Sequence, residues 1–154
     1  MKKILVLCLL FVSVTLSAQF KLGVTAAGGL GSKSTVTPLD SFKFVGSLGF
    51  SAEVRYALVF FRTGVVFQND NRTFVPLHLF VRTTPAGGFL GGGVSLATNK
   101  GKSMYDIILG RKASRNFDIA LQYSHPLQGV FSESILGIHL TFYPLTTCGS
   151  LCEL

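Results

Sequence analysis

Ser124 and His125 are adjacent, and Glu133 and Ser134 follow across the stretch HPLQGVF (125–131). A serine, a histidine and a carboxylate brought together could hydrolyse an ester. The imidazole would take the hydroxyl proton, the carboxylate would hold the imidazole in place, and the serine oxygen would attack the carbonyl. The spacing matches no barrel-lipase motif, however, and His-Pro is an ordinary loop dipeptide. The expectation is therefore no enzyme. His78 and His139 could ligate a metal, but each stands alone on a polar strand face, where a hydrogen-bonded histidine is the plainer reading. The run GGFLGGG (87–93) lacks the Lys-Ser/Thr and the following helix of a phosphate-binding loop. No metal, nucleotide or other cofactor is expected.

Cys148 and Cys152, in TTCGSLCEL, are spaced C-x3-C with no second pair nearby, a poor zinc pattern. A disulfide between them is possible chemistry in an oxidising compartment and would constrain only the tail. The third cysteine, Cys8, lies in an apolar run behind Lys2 and Lys3 that ends in the small residues Ser13–Ala18. That is the pattern of a secretory signal peptide over residues 1–18. Leu7 before Cys8 does not suit lipidation, which needs a small residue there.

The composition limits what the mature chain can be. It holds 48% hydrophobic residues, 14% charged residues and 17 glycines in 154 positions, against about 25% charged in ordinary soluble domains. No stretch after residue 18 has the roughly 20 consecutive apolar residues of a spanning helix. Of the 14 basic residues, loss of Lys2 and Lys3 leaves 12 against 7 acidic, a net charge of +5. They are scattered and accompany no nucleic-acid motif, so no nucleic-acid partner is expected.

Turn residues cut the chain into eight segments of about ten residues: 20–31, 42–55, 57–68, 72–82, 87–98, 103–111, 116–124 and 132–143. RTFVPLHLFVR (72–82) shows the pattern. One face carries Val75, Leu77, Leu79 and Val81; the other carries Arg72, Phe74, Pro76, His78, Phe80 and Arg82. Leu121 on the seventh segment, and Leu136, Ile138 and Leu140 on the eighth, form similar apolar faces. If all of these pointed inward, an eight-stranded cylinder would have to hold some thirty large groups in a space just wide enough for side chains. The opposite faces, rich in Gly, Ser and Ala, suit a crowded interior better. The aliphatic faces are therefore expected to meet lipid. The lumen should then hold Glu53, Arg55, Arg62, Arg82, Asp106, Lys112 and Asp118 as an ion-pair network, with Lys21, Arg72, His78 and His139, and leave no wide pore. Tyr56, Tyr105, Phe117, Tyr123, Phe142 and Tyr143 lie near segment ends, where an aromatic girdle would sit.

The expected fold is all-β, an eight-stranded antiparallel up-and-down transmembrane barrel over residues 19–144, with a periplasmic tail at 145–154. Connections at 32–41, 69–71, 99–102 and 125–131 would face outward, and both termini would be periplasmic. TFVPLHLFVRTTPAGGFLGGGVSL and YDIILGRKASRNFDIALQYSHPL resemble the Pro-containing, Gly-rich and aromatic strands of the small outer-membrane barrels often called PorT-like or OmpA-like. The resemblance implies a porin-like protein of a Gram-negative outer membrane. Its partners would be outer-membrane lipids, lipopolysaccharide and the barrel-insertion machinery, and it would be monomeric, with a structural or surface-interaction role. One departure is that residues continue past Phe142 and Tyr143, where such barrels often end. Two alternatives stand beside this reading: a soluble periplasmic calycin-like barrel with an apolar ligand inside, and an accessory part in protein secretion.

Overall fold

The period-two alternation is realised as eight strands in a computed structural model that describes residues 19–32, 42–84, 86–99, 101–127 and 134–147. The signal segment, Glu133, Cys148 and Cys152 lie outside the described residues. The strands are β1 (Gln19–Ser32), β2 (Phe42–Tyr56), β3 (Val59–Gln68), β4 (Thr73–Arg82), β5 (Gly88–Ala97), β6 (Met104–Ser114), β7 (Phe117–Pro126) and β8 (Ser134–Thr147). Each pairs antiparallel with its sequence neighbour, and β8 returns to β1, closing the barrel.

The closing seam runs from Phe20↔Thr147 to Ser32↔Ser134, with a bulge between Leu22 and Val24. β8 thus continues three residues past the expected end of the barrel. Leu145, Thr146 and Thr147 belong to the wall, because β1 begins early enough to pair with them. Closure leaves no open edge, so the backbone groups of the wall find partners without water.

The β2–β3 join is a two-residue turn at Ala57 and Leu58, with Ala57 in the left-handed region at φ 51°. This end, where β4 also connects to β5 and β6 to β7, is called the inner end below. Pro76 leaves a mark in the wall. The β3–β4 ladder stops at Thr63↔Leu77 and resumes at Val66↔Phe74, across the stretch where proline has no N–H to donate. On its other side the ladder passes Pro76↔Ser95 without a break.

Alternation decides what faces inward. On β4, Phe74, Pro76, His78 and Phe80 are buried, while Leu77, Leu79 and Val81 are exposed. Two apolar clusters stand inside. Phe60, Phe80, Phe89, Ile108 and Ala120 pack toward the inner end. Val45, Phe74, Met104 and Ile135, with Ala97 against them, form a collar toward the outer end. Glycines make room for the rings. A Cβ at Gly91 would collide with the Phe80 ring, and one at Gly23 would come within 2.8 Å of the Tyr143 ring.

Candidate functional site: two carboxylate centres in the lumen

The inner centre is built across β2, β3, β7 and β8. Antiparallel register sets Glu53 directly opposite Arg62. Arg62 Nε and Nη2 donate to Glu53 Oε2 at 3.0 and 2.8 Å, and Tyr143 Oη donates to the same oxygen at 2.8 Å. Arg55 Nε donates to Glu53 Oε1. Asp118 Oδ2 accepts from Arg62 Nη2 at 3.0 Å and from Arg55 Nη2 at 3.4 Å. Two arginines therefore share two carboxylates, the forked geometry that guanidinium favours.

Aromatic rings back this quartet. Arg55 lies 4.6 Å over the Phe60 ring and Arg62 lies 5.0 Å over the Phe80 ring. Phe60 and Phe80 stack at 4.7 Å, and Phe89 meets both edge-on at 5.5 Å. Lys21 is tethered differently, donating to the Arg115 carbonyl at 3.2 Å and standing 5.0 Å from the Tyr143 ring.

The outer centre is a single carboxylate with no guanidinium partner. Asp106 Oδ2 meets His78 Nε2 at 2.8 Å and accepts from Ser95 Oγ. Its Oδ1 accepts from Gln122 Nε2 at 3.1 Å and from Ser124 Oγ. Between the centres lies a cavity of about 80 Å³, lined among others by Ser51, Gln68, His78, Asp106, Gln122 and His139. Polar side chains and the apolar Val45, Phe74, Met104 and Ile135 share its lining, and it is roomy enough to hold water beside the polar groups. The collar residues line its outer side, and the quartet with its phenylalanines fills the lumen on the inner side.

Sequence reasoning placed seven groups in one network; the structure divides them. Glu53, Arg55, Arg62 and Asp118 meet. Asp106 lies apart, with a histidine rather than an arginine as partner. Arg82 and Lys112 make no ion pair among the described residues, although Lys112 is the register partner of Asp118. Asp118 turns to the arginines instead. Arg72, expected in the lumen, sits in the β3–β4 turn and pairs with Asp70. Its hydrogen bonds hold the Asp70 carboxyl below the usual carboxylate range.

The eight apolar residues named above all point outward. Val75 is half-buried, and Leu77, Leu79, Val81, Leu121, Leu136, Ile138 and Leu140 are exposed. Tyr56, Tyr105, Tyr123 and Phe142 also lie on the outside, and Phe117 is half-buried. Tyr143 does not join them. It is fully buried in the lumen, because alternation from the outward Phe142 turns it inward.

Neither serine–histidine arrangement forms a catalytic relay among the described residues. Ser95 and Ser124 donate to Asp106, not to His78. At the outer rim His125 Nδ1 lies 2.7 Å from Ser134 Oγ, but no described carboxylate orients the imidazole. Ser124 is on the opposite face of β7 from His125. His125 and Tyr123 are stacked at 6.4 Å, with Tyr105 5.3 Å from His125, as an aromatic group on the outer surface. The phenylalanine stack under the arginines was missed in the sequence. Its only sign there was Phe80 alternating with outward leucines.

No protein-family model matches the sequence, and no curated protein matches it. Solved structures do. Neisserial surface protein A is similar to this chain at 14% identity over 80% of this chain and 96% of its own, with a TM-score of 0.53. The de novo designed transmembrane barrel TMB2.3 is similar at 14% identity, covering 82% of this chain and 96% of that one, with a TM-score of 0.51. At these identities the likeness is one of fold: a small eight-stranded barrel of the kind found in outer membranes.

Proposed function

We propose that this protein is an integral outer-membrane barrel, non-enzymatic and without a continuous pore, that serves the envelope structurally or through its outer connections. One observation carries the reading. Large apolar side chains cover the outside on all eight strands, with Phe50 66%, Leu109 57%, Leu79 56% and Ile138 56% exposed, while Glu53 and Lys21 are wholly buried within. In water this would be an apolar surface far larger than soluble monomers carry. In a bilayer it is the band that lipid chains solvate, as in known barrels. The soluble ligand-binding alternative loses support from the same distribution, because the interior holds buried charges and a cavity of only about 80 Å³, well short of the several hundred Å³ of a ligand pocket. A part in protein secretion has no residue in its favour.

The test is fractionation of cells expressing the full chain. The protein should remain in the membrane pellet after carbonate extraction and run faster unheated than boiled. Release into the soluble fraction would refute the membrane reading.

A further inference from the structure

Five cations and two carboxylates face the inner half of the lumen. Lys21, Arg55, Arg62, Arg82 and Lys112 stand against Glu53 and Asp118. Arg55 and Arg62 pair with both carboxylates, and Lys21 is held by the Arg115 carbonyl and the Tyr143 ring. Lys112 is the register partner of Asp118 and feels its charge, but neither Lys112 nor Arg82 makes a close ion pair among the described residues.

Those two side chains converge with Arg55 on a small recess of about 10 Å³, walled by Phe60 and Phe89 and floored by Gly87 and Gly88. The turn backbone keeps the recess open. Gly87 takes φ +87°, where a Cβ would come within 2.9 Å of Lys112 Cβ. Thr84 Oγ1 accepts from the Gly88 N–H at 2.9 Å and fixes the turn. Apolar walls exclude water and strengthen the repulsion among the three cations. A half-buried charge without a partner is costly, and the described chain supplies no third carboxylate at this end.

We infer that the inner mouth formed by Arg55, Arg82 and Lys112 is a binding site for a phosphate-type oxyanion. Arg82 offers forked N–H donors and Lys112 a compact charge, the pair of groups that recognises phosphate oxygens. The recess admits one oxygen, and the rest of the anion projects from the open mouth. Two sources fit this chemistry: free phosphate, or the phosphate of a lipid headgroup in the adjoining leaflet. Only the second rests on the membrane reading proposed above.

The experiment uses the full chain in non-ionic detergent, titrated with inorganic phosphate and followed by ³¹P line broadening. In parallel, the chain is placed in bilayers with and without phosphatidylglycerol, and headgroup ³¹P relaxation is measured. The variants are R82Q, K112Q and the two combined. Saturable phosphate binding, weakened about tenfold or more in the combined variant, supports the free-anion source. No free-phosphate binding, but headgroup immobilisation that the combined variant abolishes, supports the lipid source. Silence in both arms, or binding that survives the combined variant, overturns the site. Because no described acid pairs with either cation, both single variants should fold with unchanged heat-modifiable mobility. Each alone should weaken binding, which keeps the test open if the combined variant misfolds.

Discussion

The two carboxylate centres solve the same problem by different means. At the inner one, Glu53 and Asp118 are neutralised by the guanidinium groups of Arg55 and Arg62, which lie over phenylalanine rings. At the outer one, Asp106 is surrounded by His78, Ser95, Gln122 and Ser124 beside the cavity. Two guanidinium groups balance the inner pair of carboxylates, whereas the outer carboxylate is held by four hydrogen-bonding side chains. The inner half of the barrel is accordingly a plug and the outer half a chamber.

The largest effect should come from Arg62. Its removal in R62A leaves two buried carboxylates to share Arg55 alone and should cost about 3–5 kcal/mol, measured as denaturant unfolding from detergent or lipid. If R62A cost no more than a substitution in the chamber, the plug and chamber would not differ. In the collar, M104A should cost about 2 kcal/mol, near the low end for such truncations because the site lies close to the mouth. It should open the chamber to solvent yet carry no ion current in a planar bilayer, since the plug remains. D106N keeps the shape and half the acceptors, and should cost about 1–3 kcal/mol. The smallest effect belongs to the turn outside the wall. Asp70 has a folded pKa below its ordinary value because of Arg72. Its contribution is therefore present above the ordinary carboxylate range and lost as pH falls through the depressed value. D70N should cost less than about 1 kcal/mol at pH 7, and the difference from the parent chain should vanish in acid.

Much of this was legible along the chain. Strand number and the facing of Val75–Arg82 follow from a period of two, which tolerates errors in strand ends. Partner choice did not follow, because it depends on register, tilt and bulges that the sequence states only indirectly. Lys112 and Asp118 are register partners across β6 and β7, yet Asp118 reaches Arg55 and Arg62. Asp106 was expected in the ion-pair network, but its neighbour over Gly93 of β5 is His78. Tyr143 was read as a girdle residue from its place near a strand end, although parity with Phe142 already sends it inside. The glycines of β5 were legible as space without showing what fills it, which is the Phe80 ring beside Gly91.

The central claim is that β4 turns its leucines to lipid and His78 and Phe80 to the interior. Single cysteines at positions 77 to 81, with the native cysteines replaced, can carry spin labels in bilayers. Accessibility to a lipid-soluble collider should be high at 77, 79 and 81 and low at 78 and 80. High values at 78 and 80 instead, with 77, 79 and 81 shielded, would contradict it.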